Sequence, residues 1–243
     1  MYGIKGLCRA AAWFNKALNS DPKRVAFLLC KSVCHGFGHV SLALEFKESS
    51  VKCLVVLAHP LENSLCRYLS DETVDHLSSK GYEVTVKDLY QDEFDPVLSE
   101  SERQSYYENR FDVRRLNSEI SQLRETESLV LIFPTWWFGF PAILKGWFDR
   151  VWAPGHAYNH ASDLGAITPC LDNLKEVKVI TTLGSPWWVD VFVLWKPVNR
   201  ILKIALLGAC TKGCKLKMLS FYKSEDASKS RVDGFVRKIR AQF

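Results

Sequence analysis

Hydrophobic residues along this chain gather in short runs, separated by longer segments in which apolar and polar positions mix. VKCLVVLA (51–58) and SLVLIF (128–133) are nearly continuous apolar runs, and their β-branched residues are typical of strands covered on both faces. YEVTVKDL (82–89) alternates between apolar and polar residues, and EVKVITT (176–182) and KLKMLSF (215–221) complete the set. The pattern therefore predicts five strands.

The segments between these runs are predicted to be helical. In SLCRYLSDETVDHLSSKG (64–81), Ser64 is the expected N-terminal cap and Gly81 the expected stop. Its apolar residues recur at helical spacing: Leu65, Leu69, Val74 and Leu77. Further helices are predicted over about residues 100–125, from Pro141 to Trp152, over 188–207 and over the closing residues 225–243.

Strands that alternate with helices predict an α/β fold, a doubly wound five-stranded parallel sheet in a single domain with an N-terminal extension. We expect the extension to comprise residues 1–48 and the domain residues 49–243. In such a sheet the ligand binds beyond the carboxyl ends of the strands, where the strand order reverses. The loops to consider are therefore HPLENS (59–64), PTWWFG (134–139) and LGSPWW (183–188).

Composition and charge exclude several classes of protein. With 47% hydrophobic and 24% charged residues the chain is of ordinary globular type, and no apolar run approaches the roughly 18 residues of a membrane-spanning helix. The net charge of +5 arises in residues 1–44, which contain six basic side chains and one acidic one, whereas the rest is balanced. A balanced body argues against nucleic-acid binding, which needs a basic surface stripe.

The cysteines do not predict disulfides or a metal centre. All eight lack CxxC spacing, and a chain of this length needs no disulfide framework, so we interpret them as reduced thiols of an intracellular protein. CKSVCHGFGH (30–39) gathers two cysteines and two histidines, but its spacing fits no standard zinc module. We therefore expect no metal site.

Each of the three loops could bind a ligand, and the first two also have a purely structural interpretation. HPLENS leads into a helix, whose first amides and dipole favour an anion, yet a histidine beside a proline at a strand end is more often structural. The aromatic side chains of PTWWFG could bind a flat ligand, or belong to the core or to a dimer interface. In LGSPWW, Gly184 permits close approach of the backbone to a ligand.

Three segments resemble, in order and spacing, the flavin-binding segments of the flavodoxin-like NAD(P)H:quinone oxidoreductases. They are AHPLENSLC (58–66), FPTWWFGFPAILKGWFDRVW (133–152) and ITTLGS (180–185), and the similarity covers roughly residues 51–240. The resemblance implies a flavodoxin-like fold, a homodimer, and a tightly bound FAD, with FMN as the alternative. It also implies NAD(P)H as co-substrate and a quinone or similar small electrophile as acceptor.

The resemblance also implies particular site residues. Cofactor binding falls to the first-loop residues His59, Ser64, Leu65 and Cys66, the second-loop residues Pro134, Thr135, Trp136, Trp137 and Phe138, and the third-loop residues Thr181, Thr182 and Gly184. Substrate binding falls to Tyr158 and His160. Leu65 and Cys66 stand where the family usually has Phe and Asn, and His160 stands where it usually has Tyr.

The chain departs from the family pattern after the third loop. Larger members have a tyrosine and a histidine there, thought to assist hydride transfer, whereas this chain has no histidine beyond His160 and no tyrosine between Gly184 and Tyr222. Trp187 and Trp188 occupy the segment, and neither can exchange protons. We therefore assign no catalytic acid or base.

Two further functions compete with hydride transfer to a quinone. One is a flavin-binding ancillary or regulatory protein of a transport system with little turnover, a role that some members of the superfamily have. The other is a one-electron carrier like a true flavodoxin, which the balanced charge of the body disfavours because such carriers have acidic surfaces around the flavin.

The extension itself contains a candidate basic amphipathic helix. Over residues 4–18, Ile4, Leu7 and Phe14 share one helical face, and Lys5 and Lys16 lie opposite. Such a helix is typical of an organelle presequence or of a contact with a membrane surface. Two other interpretations are a helix that packs on the domain and an upstream translation start that adds residues the native protein lacks. We expect a cytoplasmic protein, with organelle targeting through residues 1–48 as the alternative. We also expect that a truncated chain beginning near Glu48 still folds and binds flavin.

Overall fold

The computed structural model describes residues 50–107, 111–160 and 165–243. The strands are β1 Lys52–Leu57, β2 Glu83–Asp88, β3 Ser128–Pro134, β4 Tyr158–Asn159, β5 Thr168–Pro169, β6 Glu176–Leu183 and β7 Lys215–Tyr222. Five of them form one parallel sheet in the order β2-β1-β3-β6-β7, and β4 pairs with β5 in a short antiparallel hairpin. The order reverses between β1 and β3, so the predicted doubly wound sheet is confirmed and its ligand crevice lies beyond these strands' carboxyl ends.

Helices and short elements connect the strands. The helices are α1 Leu65–Ser79, α2 Glu100–Ser105, α3 Asn117–Glu125, α4 Ala142–Val151, α5 Pro197–Arg200, α6 Gly208–Cys210 and α7 Lys229–Gln242. The prediction for α1 is confirmed: the Ser64 hydroxyl accepts from the Arg67 amide at 3.2 Å, and Gly81 follows the helix with φ 84°. These two residues fix the helix ends because one satisfies a free amide and the other adopts the left-handed backbone.

The sheet separates two hydrophobic layers. Along β1, Leu54 and Val56 face one layer and Val55 and Leu57 the other, as the two-residue period of a strand requires. One layer is completed by α3 and α4 and the other by α1 and α7. Because both faces are covered, the strand residues are apolar at consecutive positions, which is the pattern that made β1 and β3 predictable.

Two helix predictions were wrong. The helix predicted over about 100–125 is two helices, α2 and α3, because the intervening chain turns to bury Phe111 and Leu116. The helix predicted over 188–207 is interrupted: π-helical turns cover Val189–Val193 and Ile201–Leu207, and Trp195 and Lys196 have φ values of 60° and 51°. Pro197 follows directly, and the right-handed helical conformation is disfavoured for a residue before proline.

Several predictions concern residues that the structure does not describe. The extension of residues 1–48, its amphipathic helix and the CKSVCHGFGH segment all lie outside the described ranges, so the domain boundary near residue 49 stays a prediction. Within the described ranges, no three or more His, Cys, Asp or Glu side chains come together as metal ligands. No helix in this part of the chain has the length and hydropathy needed to cross a membrane.

Candidate functional site

Side-chain contacts join the three segments 58–66, 133–152 and 180–185 pairwise at the carboxyl edge of the sheet. The rings of His59 and Trp136 lie 6.3 Å apart and connect the first loop to the second. The Cys66 thiol, in α1 just after the first loop, lies 3.6 Å from the hydroxyl of Thr182, in β6 just before the third loop. The hydroxyl of Thr135, in the second loop, approaches that of Thr181, also in β6, to 2.5 Å. The structure therefore brings the three segments together at one edge of the sheet, as the switch-point rule predicts.

The second loop is a tight turn with strained backbone. Trp137 and Phe138 have φ values of 51° and 55°, and the Gly139 amide donates to the Trp136 carbonyl at 2.9 Å. Two consecutive positive φ values define a turn that normally requires Asn or Gly, and for large side chains each costs about 1 to 3 kcal/mol. In this turn the Trp137 side chain is fully exposed.

The first loop places unpaired amides beside a neutral histidine. Ser64 caps α1, and the Leu65 and Cys66 amides that follow belong to the first turn, where no helical carbonyl can accept from them. The His59 Nδ1 accepts from the Leu61 amide at 3.1 Å. Burial, together with the positive charge of Arg67, lowers the pKa of His59, so this ring is an uncharged donor at Nε2 near pH 7.

Two of the residues assigned to the third loop, Thr181 and Thr182, lie inside β6 and are buried. They therefore belong to the strand, and their side chains contact Thr135 and Cys66. Beyond the strand, Gly184 is exposed, and the buried Ser185 hydroxyl has no hydrogen-bond partner within the described residues. A buried hydroxyl without a hydrogen-bond partner lowers the stability of a fold. The Ser185 hydroxyl is of this kind, and it lies directly after Gly184.

Sequence reasoning missed a fourth segment of the site, which follows β7. The Glu225 carboxylate approaches Gly184 so closely that a Cβ on Gly184 would lie 3.1 Å from it. The Lys223 amide donates to the Ser185 carbonyl at 3.2 Å, and Arg231 donates to the carbonyls of Tyr222 and Asp226, both at 2.6 Å. No periodicity or motif marks this segment, so its position became visible only through the parallel pairing of β7 with β6.

The two predicted substrate-binding residues lie elsewhere. Tyr158, in the short hairpin of β4 (Tyr158–Asn159) and β5 (Thr168–Pro169), contacts the His160 ring at 5.2 Å. Tyr158 lines an open, mainly apolar cavity of about 400 Å³ whose wall contains none of the twelve predicted cofactor-binding residues. Phe140, which directly follows the second loop, also lines this cavity. Among the described residues, the ring contacts of His160 are with Tyr107 and Tyr158 and not with the three loops.

A flavin fits the residues that the structure brings together. The unpaired amides of α1 suit an anionic phosphate, and the exposed Trp137 ring offers a flat apolar surface. The Ser185 hydroxyl and the exposed backbone at Gly184 supply unused polar groups for the edge of a ring. The set holds donors and a flat ring, and lacks clustered metal ligands in the described ranges.

Comparison with known proteins gives the same fold. A family model described as flavodoxin-like fold matches residues 51–204. NAD(P)H dehydrogenase [quinone] 1 of Cavia porcellus is 35% identical over 170 residues, which are 62% of this chain and 60% of that protein. An uncharacterized NAD(P)H oxidoreductase of Haemophilus influenzae is 33% identical over 169 residues, 69% of this chain and 80% of that protein.

A solved structure is similar over most of the chain. An NAD(P)H:quinone oxidoreductase from Methanothermobacter marburgensis superposes with a TM-score of 0.67 at 25% sequence identity, covering 79% of this chain and 95% of that one. The chain spans 60%, 59% and 54% of the length of three of its curated relatives.

Proposed function

The chain belongs to the family of proteins with the flavodoxin-like fold, and from this premise we propose that it is a flavin-dependent NAD(P)H oxidoreductase. It transfers hydride from NAD(P)H through bound FAD to a quinone or a similar electrophile. The observation that supports this best is the pairwise contact of three segments that each resemble a flavin-binding segment of the quinone oxidoreductases. Relatives named NAD(P)H dehydrogenase [quinone] and NAD(P)H oxidoreductase support the same reaction class.

Different residues bind different parts of the cofactor. The amides of Leu65 and Cys66 bind phosphate, and Trp137 packs on the ring. A bound flavin supplies the site where hydride is accepted and released. Backbone donors near Gly184, together with the Ser185 hydroxyl, stabilise negative charge at the ring edge without rearrangement. The second turn fixes the backbone at Trp137 through the hydrogen bond from the Gly139 amide to the Trp136 carbonyl, which lowers the backbone entropy that binding costs.

Two of these residues act through other residues. Burial raises the pKa of the Cys66 thiol to about 11, so this thiol stays neutral and joins the first loop to Thr182. Thr135 fixes the second loop, since its amide also donates to the Thr182 carbonyl at 2.8 Å. Neither side chain is needed for proton transfer, in agreement with a mechanism based on positioning and backbone dipoles.

A second copy of the chain would complete the site. Tyr158 lines an open apolar cavity with Phe140, Phe148 and Ile167, and the His160 ring contacts Tyr158. An apolar cavity of this kind suits a partner subunit. We propose a homodimer in which Tyr158 and His160 of one copy face the second loop of the other and line the substrate pocket.

Purification, cofactor extraction and turnover test the proposed function together. We expect a yellow protein with flavin absorbance, release of FAD on denaturation, a dimer mass by light scattering, and oxidation of NAD(P)H with a small quinone. A colourless protein that flavin does not reconstitute would contradict the cofactor and the reaction. A yellow protein without turnover on any two-electron acceptor would contradict the reaction alone, and recovery of FMN would correct the cofactor.

Trp137→Ala is expected to weaken flavin binding by about 1 to 3 kcal/mol, because stacking and apolar burial on the ring are lost. This corresponds to a rise in Kd of between fivefold and more than a hundredfold. Titration of the apoprotein with FAD, followed by quenching of flavin fluorescence, measures the change.

Trp195→Ala is the matched control for this substitution. Trp195 is also exposed and also has a positive φ, 60°, so the two variants share the side-chain loss and the backbone effect. We expect the control to keep the flavin affinity of the parent. If Trp137→Ala instead kept its affinity and lost dimer mass or melting temperature, Trp137 would be an interface residue and not part of the flavin site.

A further inference from the structure

Ring contacts continue from the two predicted substrate-binding residues to α2 and the residues that follow it. The His160 ring lies 5.2 Å from the Tyr158 ring and 5.3 Å from the Tyr107 ring, measured between centroids. The Arg103 guanidinium lies over Tyr107 and Tyr106, at 5.0 Å and 5.5 Å from the two ring centroids. We call these five residues the Arg103 cluster. It is a continuous row in which a cation lies between two tyrosine rings.

Tyr106 attaches the Arg103 cluster to the core. Its hydroxyl donates to the Asp149 carbonyl of α4, and its ring makes an edge contact with Phe111 at 5.4 Å between centroids. Burial raises the pKa of Tyr106 to about 12, so the hydroxyl keeps its proton near neutral pH. Tyr106 also lines the apolar cavity together with Tyr158. The two ends of the cluster, Tyr106 and Tyr158, therefore both lie on the wall of this cavity.

Arg103 has no counter-charge among the residues that the structure describes. It takes part in none of the ion pairs between them. The carboxylates of α2 and α4 have other partners: Glu100 accepts from Gln104, Glu102 from Arg150, and Asp149 from Lys145. A guanidinium has five N–H donors in a planar fork. The cluster therefore offers an anion a positive charge and several donors.

This combination fits one class of ligand. Aromatic rings stack on a flat apolar body, and a guanidinium forms charge-assisted hydrogen bonds with an acidic group such as a carboxylate. A neutral ligand would fill the same space but leave the Arg103 charge desolvated without a partner. We propose that the Arg103 cluster binds aromatic anions and thereby selects electron acceptors that bear an acidic group, such as a quinone sulfonate. The selection of acceptors rests on the proposed function, whereas the binding itself does not.

In the proposed homodimer the cluster belongs to the substrate pocket. Tyr158 and His160 face the second loop of the other copy there, and Tyr107 continues the row of rings from His160 to Arg103. These residues therefore form one wall of a pocket that two copies share. The alternative partner for Arg103 is a carboxylate of the second copy, which would stabilise the dimer and leave the binding of acceptors unchanged. The two cases differ in what Arg103→Gln changes.

Equilibrium binding of two matched probes to the full-length protein tests the proposal. The anion is naphthalene-2-sulfonate, and its neutral counterpart of nearly the same shape is naphthalene-2-sulfonamide. We expect calorimetry to show about tenfold tighter binding of the sulfonate, since a hydrogen bond to a charged group contributes about that much. Arg103→Gln should abolish this preference, and Arg103→Lys should restore part of it. Tyr107→Ala should weaken the binding of both probes about threefold or more, because stacking is lost.

Arg237→Gln is the matched control. It removes an exposed cation of α7 that forms no ion pair within the described ranges, and it should keep the probe preference of the parent. Turnover gives a second measurement. The ratio of kcat/KM for a naphthoquinone sulfonate to that for the unsubstituted naphthoquinone should fall about tenfold in Arg103→Gln and stay unchanged in Arg237→Gln.

Each other outcome has a definite meaning. Equal binding of both probes by the parent, or a preference that Arg103→Gln keeps, would overturn the proposal. A shift of the monomer–dimer midpoint in Arg103→Gln with an unchanged preference would identify a carboxylate of the second copy as the partner and overturn it too. A change confined to the KM for NADPH relative to NADH would identify the phosphate of the dinucleotide as the anion and overturn the selection of acceptors. Preferential binding of the sulfonate without turnover on any acceptor would support this binding site and contradict the proposed reaction alone.

Discussion

Arg150→Met is expected to lower the free energy of unfolding by about 3 to 5 kcal/mol, because it leaves a buried carboxylate without its counter-charge. Arg150, on α4, donates to Glu102 of α2 through Nε at 3.1 Å and Nη2 at 2.5 Å. Both side chains are nearly inaccessible, with 3% and 2% of their surface exposed. Arg150 also donates to the Asp95 carbonyl and so holds the loop after β2 against the helix.

Urea unfolding of the parent and the variant measures this effect, with the midpoint and slope fitted separately. A second variant, Glu102→Leu combined with Arg150→Met, removes both charges and should recover much of the lost stability. If the single variant were as stable as the parent, the pair would be solvated in solution and the loop would not be fixed as described. Equal loss in the single and double variants would show that shape, and not charge, governs the contact.

Glu176→Gln is expected to cost about 3 kcal/mol at neutral pH, because it leaves the ammonium of Lys178 buried without a negative partner. Lys178 is 2% exposed and donates to Glu176 at 2.6 Å. The Ser128 hydroxyl also donates to Glu176, at 2.8 Å. These groups lie at the amino ends of the strands, opposite the loops, so flavin affinity should stay unchanged.

The pH dependence of stability gives a second measurement on Glu176. Burial alone would raise the pKa of Glu176, but the hydrogen bonds from Lys178 and Ser128 outweigh it and leave the pKa below its ordinary value. A lowered folded-state pKa contributes stability above the unfolded value of about 4.3, which is lost as the pH falls below it. The parent should therefore lose more stability than Glu176→Gln between neutral pH and about pH 3. If the free energies of unfolding of the parent and of Glu176→Gln fell equally between neutral pH and about pH 3, the role of this carboxylate would be contradicted.

The sheet could be predicted from the sequence because burial on both faces leaves a continuous apolar pattern. β1 and β3 were found within one residue of their observed ends, and α1 was found because Ser64 and Gly81 mark its limits. The meeting of the three loops was also predictable, since parallel strands bring their carboxyl ends to one edge. These predictions depend on local chemistry and on one general rule of topology.

The other features depend on contacts that no local pattern encodes. Trp137 and Phe138 adopt left-handed backbone without glycine or asparagine, so residue type gave no indication of the turn. Glu225 reaches Gly184 from a segment 41 positions further along the chain. The break at Trp195 and Lys196 had one visible cause, Pro197, but the apolar pattern around it resembles an ordinary helix.

The pairwise contacts of the three loops determine when the site can form during biosynthesis. Two of these contacts, Cys66 with Thr182 and Thr135 with Thr181, require residues of β6. A nascent chain that has completed β3 can pair it with β1, but it cannot fix the second loop until β6 docks beside β3. Such distant pairings form late because loop closure precedes any gain from contact. Cofactor capture must therefore await the emergence of β6 from the ribosome.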